Sequence, residues 1–171
     1  MKDSGGHNPA PTTGPQRPPE PAWDNFPTEL TAFPHWAAWQ YRWGNGRWTK
    51  VPLQPDGRAA SSTNPETWCP FEYAQCAYFS HQLDGIGFIL SDRDPFCVVD
   101  LDHCRDRETG RIDPIAASYI ARLNSYTEIS VSGCGIHVFV RAKLPPRHRR
   151  LGHFEIYDSA RFITVSGAVL L

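Results

Sequence analysis

The sequence predicts an α+β fold of two layers, a mixed and largely antiparallel sheet with helices packed on it. Two observations lead there. Short apolar, strand-like runs follow one another closely enough to pair antiparallel, and two segments between them open on helix-capping residues. No internal repeat points to a solenoid.

Met1 to about Ala22 is rich in Pro, Gly, Thr and Ser and has almost nothing to bury, so residues 1–22 read as a disordered Pro-rich tail. Aromatic and aliphatic residues begin at Trp23, and 23–171 read as a single domain. Trp36 to Trp43 and Arg47 to Leu53 form a hairpin through Gly44-Asn45-Gly46. Thr63 or Asn64 caps a helix expected to run on through Tyr73, Ala77 and Tyr78. Gly85 to Leu90 and Phe96 to Leu101, split by Ser-Asp-Arg-Asp-Pro, suggest another hairpin. Asp113-Pro114 opens a second helix over Ile115 to Leu123. Strands follow over Thr127 to Val131, Ile136 to Arg141, Phe154 to Tyr157 and Arg161 to Val165. The apolar ending Ala168-Val169-Leu170-Leu171 suggests a C-terminally truncated domain.

At 171 residues and 40% hydrophobic content, the chain can build one real core. The net charge of -1 does not itself signal nucleic acid, although Arg147, His148, Arg149 and Arg150 form a local basic cluster. Five cysteines without a CxxC pair argue for free thiols, a cytoplasmic location and no structural zinc. No stretch approaches the roughly 20 apolar residues of a membrane span, so no membrane partner is expected.

Three segments carry chemistry. In Phe96-Cys97-Val98-Val99-Asp100-Leu101-Asp102, residues two apart share a strand face, so Asp100 and Asp102 point the same way. Paired carboxylates repel unless a cation separates them, and a divalent ion with oxygen ligands suits them; alone, the pair reads equally well as the solvated end of a strand. In Ser132-Gly133-Cys134-Gly135-Ile136-His137 a strand breaks into a Gly-x-Gly loop and resumes with His137. Such a loop lets backbone N–H groups approach a phosphate, or is simply a tight hairpin. In Phe154-Glu155-Ile156-Tyr157, Glu155 shares a face with Tyr157, facing either water or a cation.

The order of these segments resembles the archaeo-eukaryotic primase superfamily, in particular the primase-polymerase domains of phages and plasmids. Asp100 and Asp102 match its first motif, Ser132 and His137 its second, and Glu155 its third. Gly85-Ile86-Gly87-Phe88, Lys50-Val51-Pro52, Asn64-Pro65-Glu66-Thr67-Trp68 and Arg161-Phe162-Ile163-Thr164-Val165-Ser166-Gly167 are similar to its flanking text, so the resemblance spans roughly Trp36 to Gly167. It implies an RRM-like core and a DNA primase or polymerase that transfers nucleotides from NTP or dNTP on a single-stranded DNA template. Asp100, Asp102 and Glu155 would hold Mg²⁺ or Mn²⁺, and Ser132, Gly133, Gly135, His137, Arg161 and Lys50 would bind the nucleotide. A replicative helicase, in cis or in trans, is the implied partner. Two departures stand out: Glu155 replaces an Asp common among relatives, and the chain stops soon after the third motif.

Two competing readings stand beside this one. One is a metal-dependent phosphodiesterase, which would have no need of a triphosphate cradle. The other is a non-catalytic nucleic-acid-binding module, with Trp36, Trp39, Tyr41, Trp43 and Trp48 as a stacking platform beside Arg42 and Arg47. A transition-metal site at Cys97, His103 and Cys104 lacks the spacing for four ligands, and buried thiols are expected there.

Overall fold

The computed structural model describes residues 11–145 and 150–170. The chain divides its strands between two wholly antiparallel sheets, which confirms the two-layer α+β class but not a single mixed sheet. In the first, β1 (Trp36–Gly44) and β2 (Arg47–Leu53) form the expected hairpin. Asn45 and Gly46 turn it with φ of +50° and +73°, a left-handed pair that suits the right-handed twist of the strands. β3 (Gly85–Leu90) and β9 (Arg161–Val165) complete the order β2-β1-β3-β9. The second sheet contains β4 (Phe96–Leu101), β5 (Thr127–Ile129), β6 (Ile136–Arg141), β7 (Arg150–Leu151) and β8 (Phe154–Tyr157), in the order β5-β6-β4-β8-β7.

The expected hairpin of Gly85 to Leu90 with Phe96 to Leu101 does not form: β3 pairs with β1 and β9, and β4 pairs with β6 and β8. The intervening turn carries the chain from one sheet to the other. Asp94 holds it by accepting from the Ser91 and Phe96 N–H groups at 2.8 and 2.9 Å, with His35 Nδ1 at 3.3 Å. The helix expected from Thr63 or Asn64 also divides. Asn64 caps only a 3-10 turn, Pro65–Thr67, and α2 starts afresh at Phe71–His81. Between them Cys69 pairs with Trp36 as a β-bridge, and Pro70 has no N–H to continue a helix. Besides the short α1 (Thr28–Thr31), the third helix is α3 (Pro114–Leu123); Asp113 caps it by accepting from the Ile115 and Ala116 N–H groups.

The larger core packs Ala74, Ala77 and Tyr78 of α2 with Trp36, Ile86, Phe88 and Ile163 of the first sheet, and with Val98 and Phe139 of the second. Aromatic burial dominates it, at roughly 150–250 Å² per ring. A smaller core packs Ala116 of α3 against Leu101, Ile136 and Val138, on the opposite face of the second sheet. β3 and β9 approach so closely that a Cβ on Gly87 would lie 2.4 Å from the Ile163 carbonyl oxygen. Residues 11–22 touch the domain: Arg17 donates to the Leu83 carbonyl at 3.2 Å, Glu20 accepts from Trp23 Nε1 at 2.9 Å, and the Ala22 N–H donates to Ser166 O at 2.9 Å.

Candidate active site

The second sheet carries a row of charged side chains across all five of its strands. His137 on β6 stands opposite Glu128 on β5 and Asp100 on β4, and Asp100 stands opposite Glu155 on β8, which in turn faces Arg150 on β7. Directly opposed residues of antiparallel strands point to one face. Val98, on the same face of β4 as Asp100, belongs to the larger core, so the row continues that apolar layer while α3 covers the other face.

Glu128 is completely buried. Its carboxylate accepts from Tyr126 Oη, from the Ser166 and Gly167 N–H groups, and from His137 Nδ1 at 3.2 Å. His137 Nε2 lies 3.7 Å from Asp100 Oδ1. Burial by itself would lower the pKa of His137; the hydrogen bond and charge of Glu128, with Asp100 beyond, outweigh it and leave the value raised. Asp100 is shifted upward as well, first by burial, with Asp102 and Glu155 pushing the same way against His137 and Arg161.

Asp102 lies one residue past β4, in a turn, and is exposed. Glu155 is held by cations: Arg150 Nε lies 3.1 Å from Oε1 and Arg161 3.7 Å from Oε2, while Tyr157 Oη donates to Oε2. Burial and Glu155 together push the Tyr157 hydroxyl up to about 12. Among the described residues, no three His, Cys, Asp or Glu side chains are gathered tightly enough to hold a metal ion as they stand.

A cleft of about 330 Å³ opens beside the row, lined from both sheets. Lys50, Asp100, Asp102, Ser132, His137 and Arg161 all line it, whereas Glu155 does not. The Lys50 ammonium lies 5.7 Å from the centre of the Trp39 ring. Loss of hydration lowers its pKa, and Asp100, Asp102 and Cys134 oppose that shift. Ser132 Oγ lies 2.9 Å from Ser130 Oγ. The Gly133 N–H donates to Ser130 O and the Gly135 N–H to Ser130 Oγ, at 2.8 and 3.2 Å. Both glycine donors are therefore engaged within the loop. Gly133 adopts φ +78°, and a Cβ on Gly135 would meet Ser130 Oγ at 3.0 Å.

No family model matches the chain. The chain is 37% identical over 147 residues to the DNA primase-polymerase of Nitratiruptor phage NrS-1, an alignment covering 82% of this chain and 20% of the phage protein. The chain is a member of the primase-polymerase domain family. It spans about a fifth of the length of that relative.

Within this primase-polymerase domain, sequence reasoning found the two strands bearing Asp100 and His137 and missed the third partner. Glu128 sits in a segment correctly read as a strand, Thr-Glu-Ile, and the available signal was an acid between two apolar-facing positions. Ser130 and Thr164, which also line the cleft, lie beside or within segments singled out in the sequence but were assigned no role there. The aromatic stacking platform does not assemble. Trp36 and Trp39 are fully buried, and Trp43 and Trp48 pack edge to face on each other with centroids 5.6 Å apart. Of the basic cluster only Arg150 falls among the described residues, paired with Glu155; Arg147, His148 and Arg149 lie outside them. All five cysteines are free, and no described helix is long and apolar enough to cross a membrane.

Proposed function

We propose that this primase-polymerase domain transfers nucleotidyl groups from NTP or dNTP to a 3′-hydroxyl on a single-stranded DNA template, with Asp100, Asp102 and Glu155 as ligands for Mg²⁺ or Mn²⁺. One observation carries the reading: Asp100 is flanked on one sheet face by His137 and Glu155, beside a cleft that Lys50, Ser132 and Arg161 also line. Three carboxylates form an all-oxygen donor set suited to a hard divalent cation. Burial is the first cause of the upward shift of Asp100, a cost that a bound cation would offset. For Glu155 to join the set it must exchange Arg150 and Arg161 for the ion. When bound, the ions supply Lewis-acid activation of the 3′-hydroxyl and charge neutralisation of the triphosphate.

The chain's own residues do the rest by positioning and electrostatics. His137 presents Nε2 to the cleft as a donor for a phosphate oxygen, and the Ser132 hydroxyl adds a second. Lys50 and Arg161 bring positive charge toward the β- and γ-phosphates, which stabilises the departing pyrophosphate. These four phosphate-binding groups favour transfer from a triphosphate over simple phosphodiester hydrolysis. Service in the replication of a phage or other mobile element, with a helicase in cis or in trans, belongs to the same reading.

A second reading, a non-catalytic nucleic-acid-binding remnant, has one observation in its favour: Glu155 is already neutralised by Arg150 and Arg161. Primer-independent dinucleotide synthesis with Mn²⁺ tests both. The wild-type chain should form product and its Asp100→Ala, Asp102→Ala variant should form none; equal signals from the two would overturn the enzymatic reading.

A further inference from the structure

Every group assigned above to the nucleotide is polar and reaches the cleft. Glu128 is the exception, an acid in the same transverse row that reaches no solvent at all. A buried carboxylate is costly unless its lone pairs are filled, and here they are. Tyr126 Oη donates at 2.9 Å, the Gly167 N–H at 2.9 Å, and the Ser166 N–H lies 3.2 and 3.1 Å from the two oxygens. The turn supplying those N–H groups is itself tied down. Ser166 O accepts from the Ala22 N–H at 2.9 Å and Gly167 O from Asn25 Nδ2 at 3.0 Å. Gly167 has φ +67°, and a Cβ there would lie 2.5 Å from Ala22 O. The carboxylate is thus held from three directions before it meets the histidine.

The fourth contact carries the consequence. A carboxylate that only accepts fixes the proton on His137 Nδ1, and the ring is then oriented with Nε2 toward Asp100 and the cleft. We propose that Glu128 is a positioning residue for nucleotide binding, acting through His137 by fixing the orientation and tautomer of its ring. This rests on the nucleotidyl-transfer reading, in which His137 meets the triphosphate. Glu128 touches neither nucleotide nor metal. It removes the freedom of the one side chain in the row that stands between two carboxylates.

A double-mutant cycle separates this role from simple support of the fold. The probe is a non-hydrolysable deoxynucleoside triphosphate titrated calorimetrically into the chain with Mn²⁺. Glu128→Gln should weaken binding by about tenfold in the wild-type background and by less than about twofold in a His137→Ala background. An equal loss in both backgrounds, or no loss in either, overturns the proposal. Because Glu128→Gln buries a new amide, a second measurement needs no substitution. In ¹⁵N-histidine-labelled wild-type protein, His137 should show a protonated, slowly exchanging Nδ1, and triphosphate should shift its Nε2 resonance. An unprotonated Nδ1, or a ring indifferent to triphosphate, overturns the role. If the wild-type chain binds no triphosphate at all, the nucleotidyl-transfer reading falls and takes this inference with it. If it binds and the cycle is additive, only the role of Glu128 falls.

Discussion

Asp100 and Glu155 stand directly opposite each other on β4 and β8, two acids placed where a cross-strand pair ordinarily joins opposite charges. Opposed Cβ atoms lie about 4.5–5.5 Å apart, and burial of the Asp100 carboxylate, with Asp102 and Glu155 acting in the same direction, costs the fold stability. Replacing Asp100 by Asn should raise the melting temperature in metal-free buffer by ~2–4 °C, equivalent to about 1 kcal/mol for a chain of this size. Mn²⁺ should stabilise the wild type and leave the variant unmoved. Differential scanning calorimetry with and without the ion reads both, and an equal response to Mn²⁺ would count against Asp100 as a ligand.

Lys50 and Arg161 approach the cleft from β2 and β9, on the other sheet. If they bind the triphosphate, Lys50→Ala and Arg161→Ala should each raise the nucleotide KM by about tenfold or more, since a charge-assisted hydrogen bond contributes roughly 1.5–3 kcal/mol. Template affinity should change little. Steady-state kinetics with varied nucleotide, beside a template-binding titration, distinguishes this from a general loss of fold.

Gly87 has no room for a side chain, because the obstacle is the backbone carbonyl of Ile163 at 2.4 Å. Gly87→Ala should therefore destabilise the chain by about 3 kcal/mol, at the upper end of overpacking costs. Urea denaturation measures it, and a variant as stable as the wild type would show that β9 can move away.

Cys69, Cys97 and Cys104 are each pushed up to about 11 by burial. Iodoacetamide at pH 8 should label exposed Cys76 first and leave these three unmodified until the chain unfolds, as peptide mass spectrometry would show. The linkage has a definite sign. Thiols with folded values raised above the usual 9 contribute stability that is fully present below pH 9 and lost as pH rises through about 11. Thermal stability should fall over that window, and Cys97→Ala should make the fall shallower.

Local pattern made much of this legible. Short apolar runs located β4, β6, β8 and β9, with alternation visible in β8, and Asp113-Pro114 marked the start of α3. Strand partners were not legible, since β3 and β4 are neighbours in sequence and belong to different sheets. The turn between them is held by Asp94, whose pairing with His35 spans 59 positions. Glu128 escaped for a related reason. An acid in a strand looks solvated until its partners are known, and two of its partners, Ser166 and Gly167, arrive 38 and 39 residues later.

The charged row runs at right angles to the chain, taking one residue from each of five strands. Its integrity is therefore a matter of alignment between strands and not of the distance travelled between them. A largely exposed connection such as residues 106–111 can lengthen or shorten without disturbing the row, whereas one residue inserted within β4 would turn Asp100 to the α3 face and break the row in the middle. In descendants of this sequence, length variation should collect in the loops, and the strands should keep their count.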